Sequence, residues 1–236
     1  MRERDSAVAI AWGGAVVFAA SQLWFLYCYF IRFDRLPPSG LTAAAATAID
    51  LLLFTLFAVH HSILARPGPK QVVARLVSPE LERSLYTWIA SALFLIVCTA
   101  WRTVPGTLYA LDPPWRYAGY AVQVLGIILT LRASRALDVL ELAGVRQAQP
   151  AKEASTTGLK TTGLYGFVRH PLYFSWTLIV FGAPDMTATR FVFAAASTFY
   201  LALAIPWEER GLVATFGEDY ERYRKTVRWR MMPGLY

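Results

Sequence analysis

Stretches of apolar sequence, each about as long as a bilayer is thick, constrain this chain more than anything else in it. Residues about 7–31 read AVAIAWGGAVVFAASQLWFLYCYFI, and comparable runs occupy about 41–65, 85–101 and 117–131. A helix needs about 20 apolar residues to cross the hydrocarbon core. Only helices and closed barrels can satisfy their own backbone there. Two shorter runs, about 172–183 and 191–207, are separated by APDMTATR and read as a helical hairpin. The expected fold is therefore an all-α integral membrane protein. It has about six transmembrane helices, the last two forming a short hairpin. Composition agrees: 56% of residues are hydrophobic and 17% charged, whereas soluble domains carry about a quarter charged. The N-terminal run is too long for a signal peptide, and no small-residue cleavage site follows it. Cys28 and Cys98 both lie inside apolar runs and read as small buried hydrophobes. Neither a disulfide framework nor a metal-site spacing is visible.

The basic residues orient this bundle. With six spans, only Arg32, Arg35, Arg102, Arg116 and Arg190 fall on one side, and the other 18 of the 23 lysines and arginines fall on the side of both termini. The positive-inside rule makes that larger side cytoplasmic, so a bacterial inner membrane is the expected location. The net charge of +7 is then mostly a topology signal, and no soluble basic face suggests nucleic acid. Residues 1–236 are expected to form a single membrane-embedded domain, with four spans on the substrate side in 1–131 and a connecting loop, hairpin and C-terminal helix in 132–236. The last element, within EERGLVATFGEDYERYRKTVRWR, is aromatic and basic and reads as a cytoplasmic interfacial helix.

Unusual chemistry gathers at the cytoplasmic mouth of the hairpin. Gly163 offers a positive-φ turn or a close backbone approach to a ligand. Arg169-His170 precede Pro171, which suits the first turn of a helix. A helix N-terminus beside an arginine can hold an anion, although Arg169 also reads as one more topology charge. Glu208 and Glu209 are adjacent acids at a membrane exit. On a helix they point about 100° apart, so one can face a cavity and the other water or a basic partner. His60 and His61 lie inside the second span, where ionisable groups default to a functional reading. The alternative for them is a structural hydrogen bond inside the bundle.

The ordered set Gly163-Leu164-Tyr165, Arg169-His170-Pro171-Leu172-Tyr173, Glu208-Glu209 and Phe216-Gly217-Glu218-Asp219-Tyr220-Glu221-Arg222-Tyr223 resembles the isoprenylcysteine carboxyl methyltransferase and phospholipid methyltransferase superfamily. Further pieces narrow the likeness: His60-His61-Ser62, Ala65-Arg66-Pro67-Gly68, Glu82-Arg83-Ser84 with Tyr86, and Gly144-Val145-Arg146-Gln147. These resemble the methanethiol S-methyltransferase branch, which overlaps the NnrU-like group. The resemblance implies S-adenosylmethionine as methyl donor and S-adenosylhomocysteine as product. It implies a donor site at the cytoplasmic end of the last hairpin, lined by Tyr165, His170, Pro171 and Tyr173. One of Glu208 and Glu209 would hold the donor's amino group. Thr157, Gly158, Leu159 and Lys160 match the cofactor segment by distance from the tyrosine, Gly163 and Leu164 follow them, and Gln147 is a counterpart of a cofactor-binding glutamine at altered spacing.

The chemistry of the residues fits that implication. Arg169 could take a carboxylate, a glutamate an ammonium, and aromatic faces a sulfonium. Methyl transfer to sulfur needs in-line approach and loss of water more than acid–base groups. One departure bears on the acceptor. The carboxyl methyltransferases place an arginine on the substrate carboxylate four residues before the cofactor glutamate, and Ala204 stands there in this chain. The expected acceptor is therefore a small thiol, with His60 or His61 lowering the barrier to its deprotonation. The alternatives are a lipid or prenyl-type acceptor, and a haem-binding NnrU-like isomerase with histidine ligands. Expected partners are the small apolar substrate and membrane lipids. A second departure is the ending VRWRMMPGLY, more polar than the family pattern, which would change how the terminal helix covers the site.

Overall fold

A computed structural model describes residues 2–64, 77–148 and 158–236. In chain order the helices are α1 (Arg2–Tyr27), α2 (Ala43–Leu64), α3 (Pro79–Ala100), α4 (Trp115–Ser134), the one-turn α5 (Val139–Leu142) and α6 (Val145–Ala148), α7 (Pro171–Phe181), α8 (Ala188–Phe216) and α9 (Glu218–Thr226). Two short strands, β1 (Thr107–Ala110) and β2 (Asp185–Thr187), form a small antiparallel pair. The chain divides into two compact units. Unit 1 is Met1–Val104 with Asp138–Ser155, and unit 2 is Pro105–Leu137 with Thr156–Tyr236.

Unit 1 packs α1 and α3 side by side and parallel. Gly13 makes this possible, because a Cβ there would sit 2.8 Å from the Trp88 ring. Small residues let membrane helices approach closely, and polar groups join them across the seam. Trp88 Nε1 donates to the Ile10 carbonyl at 2.9 Å, and Trp24 Nε1 to Thr99 Oγ1 at 3.0 Å. After α1 the chain makes one π-helical turn, Cys28–Arg32. This turn places Arg32 over the end of α3, where its guanidinium binds the Cys98 and Thr99 carbonyls at 3.1 and 2.9 Å. Helix ends leave such carbonyls without partners, and a cation is favourable at that pole. α2 runs antiparallel to α3, tied by Asp50 Oδ1 to the Arg102 amide at 2.8 Å and by His61 to Tyr86. Cys28 and Cys98 are buried free thiols, as their apolar settings suggested.

Unit 2 is built on α4 against α7. Gly126 lies so close to α7 that a Cβ would meet Ser175 O and Ile179 Cγ1 at 2.8 Å each. Gln123 Nε2 donates to the Ile179 carbonyl at 2.9 Å. α8 returns antiparallel along α7, with Trp176 Nε1 on Ser197 Oγ at 3.0 Å. The segment expected as a plain turn between the hairpin helices contains β2, which pairs with β1. A two-pronged ion pair, Arg116 Nη1 and Nη2 to Asp185 at 2.7 and 2.8 Å, fixes that hairpin end.

The all-α membrane fold expected from the sequence is the one observed, with one helix boundary changed. Among the described residues, four helices are long and apolar enough to cross a bilayer: Asp5–Arg32, Ala43–Ile63, Leu81–Ala100 and Ala188–Phe216. Of the other two expected spans, α4 has 20 residues but carries Arg116, Gln123 and Arg132, and α7 has only 11. The last span also does not stop at about 207. α8 continues through Pro206 to Phe216, and the break comes at Gly217, whose φ of +54° needs glycine. Proline removes the hydrogen bond to the carbonyl four residues back. That carbonyl, of Ala202, accepts from the Tyr236 hydroxyl at 3.3 Å instead. The helix therefore survives its proline, and the interfacial element begins about ten residues, nearly three helical turns, later than expected, as α9.

The close α4–α7 approach is testable. Gly126→Ala forces a methyl against backbone and is expected to destabilise by about 1–3 kcal/mol. Gly211→Ala adds a methyl where nothing lies within 4 Å, and should stabilise α8 by roughly 0.5–1 kcal/mol. Thermal unfolding of the two purified variants in detergent checks both, and equal midpoints would contradict the packing described.

Candidate functional site

The approach to the site is a one-turn 3₁₀ helix, Gly163–Gly166, entered by Gly163 at φ +64°. This is the positive-φ turn the sequence implied. The chain then runs extended through Arg169 and His170 and pairs with the C-terminal segment. Arg169 N–H donates to the Trp229 carbonyl at 2.9 Å and His170 N–H to the Arg230 carbonyl at 2.8 Å. His170 is the N-cap position of α7 and Pro171 starts it, where the missing N–H is no loss.

Arg169 points inward. Its side chain is 7% exposed and its Nε donates to Glu209 Oε1 at 2.6 Å, while the Glu209 side chain is 6% exposed. Its Nη1 donates to the carbonyls of Val227 at 2.7 Å and Arg228 at 3.1 Å, just past the end of α9. One guanidinium thus ties the start of α7, the middle of α8, the end of α9 and the C-terminal segment. A buried charge must be paired and hydrogen-bonded to be tolerated, and Arg169 is both. Its Nε and Nη1 are already occupied by protein atoms.

The two glutamates diverge as their helical spacing required. Glu209 is the buried one. Besides Arg169 it meets His170 Nε2 at 3.4 Å and, through Oε2, Arg230 Nε at 3.5 Å. Glu208 is 43% exposed. The Tyr173 hydroxyl donates to its Oε2 at 2.6 Å, and His170 Nδ1 stands 3.6 Å from its Oε1. The imidazole therefore lies between the two carboxylates and stacks on the Tyr173 ring, centroids 5.4 Å apart and planes 12° from parallel. Burial alone would push the His170 pKa down. The hydrogen bonds and charges of Glu208 and Glu209 outweigh burial and hold it above its ordinary value. Below the cluster, Leu159 packs with Tyr220, Tyr223 and Val227. The Tyr223 hydroxyl donates to the Tyr165 carbonyl at 2.6 Å. Burial raises the pKa of Tyr165, Tyr220 and Tyr223. The Tyr220 hydroxyl is buried with no hydrogen-bond partner.

A pocket of about 350 Å³ opens on another face of α8. Glu209, Arg210, Glu221, Arg224 and Arg230 line it, together with Pro206 and Val213. Positions 206, 209, 210 and 213 make one stripe of the helix. At 100° per residue, Glu208 points about 150° away from its middle.

The structure brings Tyr165, Arg169, His170, Pro171, Tyr173, Glu208 and Glu209 together in unit 2. Gly158 and Lys160 are exposed, Leu164 is half-buried, and Thr157 lies outside the described residues, as does the Ala65–Gly68 motif. Gln147 is in unit 1, on α6, exposed, with its Nε2 on the Glu141 carbonyl at 3.3 Å. Gly144, at φ +84° and packed against Ser84, sets the turn before it. His61 Nδ1 meets the Tyr86 hydroxyl at 2.9 Å. Both ring nitrogens of His60 are buried with no hydrogen-bond partner among the described residues, and the ring stacks on Tyr86 at 5.8 Å. Sequence reading missed Arg210, Arg224 and Arg230, taken only as topology charges. It also missed Asp50, an acid seven residues into α2, fully buried with Oδ2 unpartnered. An acid inside an apolar run was itself the available signal.

Comparison with known proteins gives three results. A family model described as a protein of unknown function, DUF1295, matches residues 70–227. A methanethiol S-methyltransferase 2 of Bradyrhizobium diazoefficiens is 33% identical over 235 residues, covering 93% of this chain and 88% of that protein. A methanethiol S-methyltransferase of Mycobacterium tuberculosis is 36% identical over 223 residues, 89% and 91% of the two chains. A more distant relative is mouse Nurim, 27% identical over 183 residues, covering 71% of this chain and 68% of that protein. No solved structure matches.

Two outcomes follow from the cluster. Glu209→Gln leaves Arg169 buried without its counter-charge and is expected to destabilise by about 3–5 kcal/mol, whereas Glu208→Gln keeps a half-exposed acceptor for Tyr173 and should unfold close to the parent. Thermal or denaturant unfolding of the purified variants decides this. The His170 pKa is raised in the folded chain, so its stabilisation is complete below the unfolded value of about 6.5 and fades as pH rises through the folded value. His170→Gln should therefore lose more stability at about pH 6 than at about pH 9. A pH-independent difference would contradict the charged pairing.

Proposed function

The chain belongs to the DUF1295 family, in the branch of the methanethiol S-methyltransferases, and from that premise we propose that it methylates a small thiol, methanethiol before others. S-adenosylmethionine is the proposed donor, with S-adenosylhomocysteine and dimethyl sulfide as products. The observation that carries the donor site is Glu208. Tyr173 and His170 fix its carboxylate on one side, and 43% of the side chain stays open for a further partner. A fixed, charged acceptor beside stacked aromatic faces suits a ligand with an ammonium and a sulfonium. The residues present thus fit the donor. When bound, it supplies a methyl group on a positively charged sulfur.

The protein's own part is to bind, orient and exclude water. Glu208 holds the ammonium, and His170 and Tyr173 present ring faces to the sulfonium, with Tyr165 and Pro171 completing the wall. Gly163 and Leu164 shape the approach, and Gly158, Leu159 and Lys160 form the segment leading to it. Arg169 and Glu209 keep this arrangement in register. As the carbon–sulfur bond to the acceptor forms, the bond to the sulfonium breaks, and the thiol's proton must already have left. We assign that proton to His60, with His61 beside it. Its support lies in unit 1: a half-buried imidazole on the second span, both of whose nitrogens are out of water and unpartnered among the described residues, can accept a proton without first breaking a hydrogen bond. The split of 18 basic residues against five, counted on six spans, supports a cytoplasmic donor site with both termini on the same side.

Labelled donor offered with a panel of thiols, selenols and lipids tests the reading. Label is expected in dimethyl sulfide when methanethiol is present. Label only in lipid would replace the thiol by a lipid acceptor. Glu208→Gln should weaken donor binding by about tenfold or more, an interaction of about 1.4 kcal/mol, with folding intact. Calorimetry showing normal donor binding by both Glu208→Gln and His170→Ala would remove this site. For His60→Gln, the acidic limb of the kcat/KM profile should move or vanish while donor affinity holds; an unchanged profile would return His60 to a structural role.

A further inference from the structure

The pocket on the opposite face of α8 is not needed by the methyl-transfer cluster, and its chemistry is different. Five charged side chains converge on it, three of them arginines. The acids are already engaged. Glu221 Oε2 pairs with Arg224 Nε at 2.7 Å. Glu209 is bound by Arg169 at 2.6 Å and approached by Arg230 at 3.5 Å. Arg230 also donates through Nη1 to the Tyr236 hydroxyl at 3.1 Å, and its guanidinium lies over the Tyr236 ring. These contacts hold Arg224 and Arg230 in place. Arg210 is the exception: it is exposed, and among the described residues it has no hydrogen bond or ion pair. The pocket is thus a concave site with two oriented guanidinium groups and a third without a partner.

Its place in the chain narrows what such a site takes. It lies where the apolar part of α8 gives way to EER, beside the exposed Trp207. Tryptophans of that kind mark the level of the headgroups. Nearby, Arg228 stacks over the Trp229 ring at 5.5 Å. Pro206 and Val213 give the same pocket an apolar portion. A free anion has no use for apolar lining, whereas a phosphodiester attached to glycerol and acyl chains does. Guanidinium forks match phosphate oxygens in geometry and charge, and juxtamembrane arginines gain from the anionic leaflet.

We infer that this pocket binds the phosphate of an anionic phospholipid headgroup, with Arg210 as the principal contact and Arg224 and Arg230 as its pre-placed partners. The site stands apart from the methyl donor, so it holds or fails whatever the donor proves to be. Glu209 lines it as well, with Oε2 toward Arg230 and Oε1 toward Arg169 and His170. An occupied pocket would therefore steady the pair that positions the donor cluster.

The test is binding of short-chain soluble lipids to purified protein in a non-ionic detergent. Dihexanoyl phosphatidylglycerol should bind and raise the unfolding midpoint, while dihexanoyl phosphatidylcholine should bind at least about tenfold more weakly. Arg210→Gln should weaken the glycerol lipid by about tenfold. Arg222→Gln, which removes the same charge from an exposed arginine paired with Asp219 outside the pocket, should leave it unchanged. Inorganic phosphate serves as the other arm. If it displaces the lipid at comparable concentration, the site still takes phosphate but its source is free in solution. Neither probe binding, or equal loss in the Arg210 and Arg222 variants, would overturn the proposal.

Discussion

The pair of Arg169 and Glu209 is the constraint on which the second unit depends. Both side chains are nearly out of water, and neither charge would be tolerable alone at that depth. Their attraction in a low-dielectric setting answers the desolvation only because further hydrogen bonds complete the arginine. Those bonds go to Val227 and Arg228, so stability and architecture become one requirement. The segment after α9 must return to the mouth of α7, or the guanidinium is left unsatisfied. The backbone pairing of residues 169–170 with 229–230 is the form this return takes. Apolar residues of similar volume would satisfy the packing but would specify no such register.

From that pair outward, the geometry of α8 sends three consecutive residues to three sets of neighbours. Glu209 faces the buried arginine. Glu208, one step back, reaches Tyr173 and His170. Arg210, one step on, opens into the arginine-lined pocket. Helical spacing of about 100° per residue is enough to explain the divergence. It also makes the three placements inseparable, since rotating α8 to improve one would displace the other two.

That divergence marks the limit of what could be read beforehand. The glutamate pair was legible because two adjacent acids at the end of an apolar run have few uses, and the spacing fixed their separation in angle. Which acid is buried was not legible, because it depends on Arg169, forty residues earlier, arriving on one side. The apolar runs located six helices well. They could not show that α8 passes through Pro206, because the compensating donor, Tyr236, is thirty residues downstream. Basic residues near a membrane are degenerate signals: Arg169, Arg210 and Arg230 all serve the positive-inside count equally well. Only tertiary contacts separate a buried strut from a pocket wall. Asp50 had the opposite fate, for its oddity was plain in the apolar run and its partner, the Arg102 amide, was not.

The C-terminal ending then acquires a physical explanation. A chain ending in apolar residues could cover the cluster but could not supply what this one needs. Proline at position 206 leaves the Ala202 carbonyl without its helical partner, and such a group at the edge of hydrocarbon is costly until it is bonded. Tyr236 supplies the hydroxyl, and its own carbonyl oxygen accepts from the amides of Arg230, Met231 and Met232 at 3.0 Å each. The tight turn so formed holds Arg230 against Glu209 on one side and the pocket on the other. The polar ending VRWRMMPGLY is therefore matched to the proline thirty residues before it. Losing the Tyr236 hydroxyl alone would take from the Ala202 carbonyl the donor that stands in for the missing amide.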